Sequence, residues 1–163
     1  MACPPQQCPE EDQEVRVRIA KADETQLLIC LKHRLWGRSR NKFRDWRPGD
    51  YLAILTDAGY CALVQISDEP FVSEDLIFEK AFFPYRIPLL FVHLVKPENA
   101  HLLAQQIRAA LVPTWGTRTG FPILLQLLLP GAAGRRVVDT IRSRPNSLTD
   151  IESRIGDVVP PER

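Results

Sequence analysis

The sequence predicts a single α+β domain, and three observations carry that reading. Stretches with the two-residue alternation of a strand are interspersed with stretches of helical spacing, so neither element type dominates. Two apolar runs, Tyr51–Leu55 and Tyr60–Ser67, flank the polar turn Thr56–Gly59, which marks an antiparallel hairpin. A chain of 163 residues is about one domain long and can bury a core without disulfide or metal staples.

The elements follow in order. Residues 1–13 are rich in Pro, Gln and Glu and are expected to form a flexible tail, with the domain over 14–145 and a second flexible tail over 146–163. Val15-Arg16-Val17-Arg18-Ile19 alternates apolar and basic residues and predicts a half-buried strand. Asp23 lies three residues before Gln26, an approximate capping box, and Leu27, Leu28 and Leu31 carry a helix to His33. Trp36-Gly37 reads as a turn, and Pro48-Gly49-Asp50 as another. After the hairpin, Asp68-Glu69-Pro70 breaks the chain, and the acidic stretch Phe71–Lys80 reads as an irregular loop or a short helix. Ile87–Val95 is strand-like, with Pro88 putting its start at an edge or bulge. Pro97-Glu98-Asn99 opens a helix expected over 98–111, whose apolar face is Leu102, Leu103, Ile107 and Leu111. Pro113–Gly120 reads as a loop carrying Trp115, and Ile123–Leu129 as a buried strand or helical turn. Gly134–Arg144 is a last amphipathic helix built on Val137, Val138 and Ile141.

Composition narrows the function. Lys and Arg number 21 against 20 Asp and Glu, a net charge of +1, so any nucleic-acid contact must come from local clustering. No apolar run reaches transmembrane length and the N-terminus lacks a secretory pattern, so a cytoplasmic protein without membrane contact is expected. Cys3, Cys8, Cys30 and Cys61 form no C-x-x-C pair, so free thiols, no metal and no cofactor are expected. His33, His93 and His101 lie in no nucleophile motif, and G-x-S-x-G, H-E-x-x-H and P-loop patterns are absent, which points away from an enzyme.

One stretch stands out chemically. Arg38, Arg40, Lys42, Arg44 and Arg47 alternate with Ser39, Asn41, Phe43 and Trp46, and only Asp45 opposes them. Cations suit phosphates, while a flat ring suits a base face. Trp36, Trp46 and Trp115 are the large rings available, each otherwise a core or rim residue. Asn41 suits a base edge or a turn cap.

Three segments in order carry a resemblance: Leu35-Trp36-Gly37 with Arg40-Asn41 and Arg47-Pro48-Gly49-Asp50-Tyr51; Ala62–Phe71; and Phe83-Pro84-Tyr85-Arg86-Ile87. Over about residues 15–144 the chain resembles the EVE domain family of the PUA-like superfamily, relatives of YTH and ASCH domains. The resemblance implies a partly open β-barrel of five to six mostly antiparallel strands with three or more flanking helices. It further implies a cleft that holds one base, as in the methyladenosine-reading YTH domains. The aromatic-His-Ser stretch of many members is here Ala53-Ile54-Leu55-Thr56-Asp57. The expected base cleft is Trp36, Gly37, Ser39, Asn41, Trp46, Tyr85 and Trp115, with Arg38, Arg40, Lys42 and Arg86 on phosphates. Tyr85 has a core position as its alternative, and Arg86 a pairing with the acidic loop. The implied function is a reader of a modified base in DNA or RNA. The alternatives are an ASCH-like small nuclease or nucleotide hydrolase, and a regulatory protein that binds a small heterocycle.

Overall fold

A computed structural model describes residues 15–39, 43–77, 83–116, 123 and 125–158, with side chains as far as 153. Six strands are described: β1 Val17–Ala22, β2 Leu35–Arg38, β3 Tyr51–Thr56, β4 Cys61–Ile66, β5 Phe71–Val72 and β6 Tyr85–Val95. Four described α-helices accompany them: α1 Glu24–His33, α2 Leu103–Trp115, α3 Gly131–Arg142 and α4 Leu148–Val158. None of the described helices is long and apolar enough to cross a membrane.

The strands run β1-β3-β4-β6-β2 across the sheet, with β5 beside the start of β6. The β1·β3 ladder is parallel, which the intervening helix α1 allows, and the other four are antiparallel. The result is a mixed half-barrel of α+β class. The predicted hairpin is β3–β4, and Gly49, at φ +93°, makes the turn into it.

Alternation along the strands feeds two cores. Leu52 and Ile54 of β3 join Ala62, Val64 and Ile66 of β4 on the face covered by α1 and α4. Ala53 and Leu55 join Cys61 and Leu63 on the opposite face, under α2 and α3. With both faces covered, these strands read as continuous apolar runs. Helix α3 lies so close to β1 that a Cβ on Gly134 would meet Val17 Cγ2 at 2.9 Å.

Helix α1 begins as its sequence suggests: Asp23 Oδ1 accepts from Gln26 N at 2.7 Å. Its end is Arg34 in the left-handed region at φ 57°, after Lys32, whose charge suits the C-terminal dipole, and His33. The turn therefore falls at Arg34, and Trp36-Gly37 is strand β2, not a turn.

Other boundaries shift for local reasons. Pro88 lies inside β6, not at its start. Its carbonyl accepts from Ser67, beyond the end of β4. A strand residue points its N and O to the same side, so the missing N–H falls between the β5 and β4 ladders and costs no rung. After Val95 the chain makes a 3-10 turn, Pro97–Asn99, and Leu102 at φ 61° delays α2 to Leu103. Trp115 is thus the last residue of a helix rather than part of a loop.

The flexible tail expected over 146–163 is corrected as far as Val158 by α4, and residues 159–163 lie outside the described residues. Asn146 Oδ1 accepts from Leu94 N and Leu148 N, and Ser147 N donates to Leu94 O. This places 146–147 along β6, and Ile151 enters the first core. Lys96–Asp150 and Arg34–Glu152 ion pairs flank the helix. The expectation failed because one buried isoleucine and a capping asparagine give little local signal. Residues 1–13 lie outside the described residues.

Candidate nucleic-acid interface

The sheet order leaves β1 and β2 as its two ends, and no ladder among the described residues joins them. Side chains close this seam. Trp46, from the loop after β2, has Arg18 of β1 at 4.7 Å from its ring centroid and Arg38 of β2 at 5.3 Å. Phe43 meets Trp46 edge-to-face, with centroids 4.8 Å apart, and Arg38 also lies 5.5 Å from the Phe43 ring. Cation–π attraction thus does between β1 and β2 what main-chain bonds do elsewhere.

A second segment bridges the same seam. Leu129 N donates to Val17 O of β1 at 2.9 Å. Arg38 Nη2 donates to Leu125 O, and Trp36 Nε1 donates to Gln126 Oε1, both at 3.3 Å. Residues 125–129 therefore touch both ends of the sheet.

A buried carboxylate anchors the basic loop from below. Asp50 accepts from Arg16 Nε at Oδ1 and from Arg18 Nη1 at Oδ2, both at 2.8 Å, and from Arg47 N at 3.0 Å. Arg16 and Arg18 also donate to Asp45 O. Arg18 is 1% exposed and Asp50 3%, a charge pair made tolerable by this full set of partners. Burial, and then the Arg18 cation, lower the Arg38 guanidinium from its ordinary value, against Asp45, which raises it. The side chains of Arg44 and Arg47 stay exposed.

The expected site residues separate. Trp36, Gly37, Arg38, Ser39 and Trp46 gather at the seam. Within it, Trp36 is 1% exposed and part of the first core, Trp46 is 5% exposed, and Ser39 is exposed at the end of β2. Tyr85 and Arg86 are rungs opposite Arg38 and Gly37 in the β2·β6 ladder. Tyr85 packs against the first core, as its alternative had it. Arg86 is buried rather than presented to phosphate: it donates to Phe83 O and Asp75 O, meeting the acidic loop through its main chain. Trp115 packs against the second core, away from the Trp36–Trp46 cluster. Arg40, Asn41 and Lys42 lie outside the described residues.

Sequence reasoning missed Arg18, Asp50 and Gln126. The alternation in 15–19 suggested arginines facing water, whereas Val17, Arg18 and Ile19 are all buried. Two arginines at alternate positions, Arg16 just before β1 and Arg18 in it, and two aspartates, Asp45 and Asp50, in one loop were the available signal. Nothing in the sequence marks Gln126.

Elsewhere, two of the surface grooves formed by the described residues are lined mostly by polar residues. One, of about 490 Å³, is lined by Gln106, Arg135, Arg136 and Asp139; another, of about 400 Å³, lies beside Asp23 and Asp57; neither carries an aromatic ring. Burial pushes the Cys61 thiol up to about 12 and raises the Cys30 thiol further, with the Asp23 charge adding to the latter. Both stay protonated near neutral pH, which removes their nucleophilicity.

No protein-family model matches the chain, and no curated protein does. Solved structures do. The chain is similar to the YTH domain-containing protein mmi1, solved as a complex with RNA, at 12% identity over 89% of this chain and 91% of that one, with a TM-score of 0.55. It is also similar to the YTH domain of the Zygosaccharomyces rouxii MRB1 protein in complex with N6-methyladenosine RNA, at 10% identity over 83% and 92%, with a TM-score of 0.56. At such identities the likeness is one of architecture, and the chain has the YTH-like α+β fold.

Proposed function

We propose that the protein is an EVE-like nucleic-acid-binding module, without chemistry of its own, that holds a single modified base of RNA at the β1–β2 seam. The observation that carries this reading is Trp46, flanked by the Arg18 and Arg38 guanidiniums at the root of a basic loop. The two YTH structures, both RNA complexes, supply the choice of RNA over DNA.

The physical course is an exchange. A base takes the place of the Arg38 guanidinium over Trp46, trading a cation–π contact for base stacking. Arg38, whose charge is disfavoured by burial, moves to a flanking phosphate. Arg44 and Arg47, with Arg40 and Lys42 of the same loop, hold the neighbouring phosphates. Trp36 belongs to the same buried core as Trp46, and Ser39 lies at the rim.

The test is a binding series on short single- and double-stranded RNA and DNA carrying N6-methyladenine, 5-methylcytosine or no mark. Single-stranded RNA with one marked base binds best. Trp46→Ala costs about 1–3 kcal/mol on that strand and erases the preference, in a protein whose circular dichroism is unchanged. Equal binding of marked and unmarked strands overturns the reading. So does a folded Trp46→Ala that keeps the preference, and strand cleavage in the assay turns it into the ASCH-like hydrolase.

A further inference from the structure

We infer that Gln126 reads the edge of the base at the seam, purely as a hydrogen-bond donor, and so selects a base whose ring nitrogen is an acceptor. This rests on the proposal that the seam is a base site. Gln126 sits at φ 56°, a left-handed conformation uncommon for a residue other than Gly, Asn or Asp. Such conformations persist where the surroundings hold them, and they cluster at ligand clamps. What holds this one is the turn closed by Gln126 N on Ile123 O, and the side-chain bond to Trp36.

That side-chain bond fixes the chemistry. An indole N–H can only donate, so the amide atom 3.3 Å from Trp36 Nε1 must be the carbonyl oxygen. The two N–H groups of Nε2 are then directed elsewhere. No described acceptor meets them, and no described buried side-chain nitrogen or oxygen lacks a partner, so Nε2 opens to solvent. It does so beside the platform: the preceding carbonyl, Leu125 O, is bound by Arg38, which also covers Trp46.

A donor fixed in this way discriminates among bases. Adenine and cytosine present a ring nitrogen with a lone pair, next to the exocyclic amine. Methylating that amine, or the cytosine ring carbon, leaves the lone pair in place. Guanine and uracil present a ring N–H at the same position, which would set donor against donor. With its oxygen engaged by Trp36, the amide does not rotate to accept. Gln126 therefore admits a marked adenine or cytosine and rejects guanine and uracil, because a mismatched polar pair is left unsatisfied once the stacked base excludes water from it.

The test is a double-mutant cycle between protein and strand. The probe is a short single-stranded RNA with one N6-methyladenosine or 5-methylcytidine, whichever the wild type prefers, and its partner with the ring nitrogen replaced by C–H. Gln126→Glu keeps an oxygen for Trp36 and removes the donors; Gln126→Leu removes both and controls for the new charge. The wild type loses about tenfold in affinity on the deaza strand. Each variant loses about tenfold on the natural strand and nothing more on the deaza strand. Losses that simply multiply, or variants that bind as the wild type does, overturn the role of Gln126 while the marked-base preference keeps the seam reading intact. A wild type without any base preference takes down both.

Discussion

Between β4 and β6, main-chain rungs run from Cys61 opposite Val95 to Ile66 opposite Leu89, and apolar side chains fill the space on both faces. Between β1 and β2, at the other side of the same sheet, the join is made by Arg18, Arg38, Trp46 and the segment 125–129. A ladder asks little of identity: any apolar residue of suitable volume in the right alternation will do. The seam asks for particular groups, because each buried polar atom there needs its partner. What is gained is exchangeability. A main-chain rung has no reason to open, whereas a guanidinium on a ring can give way to another flat group.

The largest effect that would break this comparison is expected at the carboxylate beneath the seam. Asp50→Ala leaves Arg18, 1% exposed, with only the exposed Asp45 carboxylate, 3.3 Å away, as its counter-charge. Removing one partner of such a pair costs about 3–5 kcal/mol, read from the midpoint of urea unfolding. Replacing both, Arg18→Met with Asp50→Leu, returns most of that stability, since an apolar pair of similar volume carries no desolvation penalty. If Asp50→Ala is nearly neutral, the seam is held by packing alone, and its contrast with the ladder is lost.

The next effect concerns a join intermediate between the two. Residues 146–147 lie along β6 through Leu94, using an asparagine side chain as well as the main chain, and then feed Ile151 into the first core. Ile151→Ala removes a nearly covered side chain from a packed cluster and costs about 2–5 kcal/mol. A loss below about 0.5 kcal/mol would mean that α4 is dispensable, as the sequence reading had it.

The same contrast explains what was legible beforehand. The apolar runs and polar turn in 51–67, the cap at Asp23 and the helical spacing in 134–141 are local signals, and each element forms where they lie. The half-barrel, read through the motif order, is likewise observed. Trp36, Arg38 and Trp46 were legible as a group because they sit close together in sequence. Arg18 was misread because alternation shows which residues share a face but not whether the second face is also covered. Gln126 comes 90 positions after Trp36, and no local pattern reports a pairing at that distance. Arg86, expected on phosphate with the acidic loop as its alternative, is buried and donates to the main-chain carbonyls of Phe83 and of Asp75 in that loop, partners that leave no trace in the sequence.

The smallest effect sharpens the comparison within the seam itself, between groups that hold the fold and groups that only face outward. Arg47 contributes its backbone N–H to Asp50 while its side chain is exposed. Arg47→Ala keeps that N–H, so unfolding stability stays within about 0.5 kcal/mol of the wild type. Its guanidinium, as a phosphate contact, releases counterions on binding. Losing it shallows the slope of log K against log salt by about 0.7 on single-stranded RNA. Marked and unmarked strands weaken by the same factor, because a phosphate carries no information about the base. Arg44→Ala, likewise exposed, follows the same course. An unchanged salt slope for both variants would move the strand off this loop. A changed preference between marked and unmarked bases would instead put Arg47 inside the reading site, and erase the line between holding and reading.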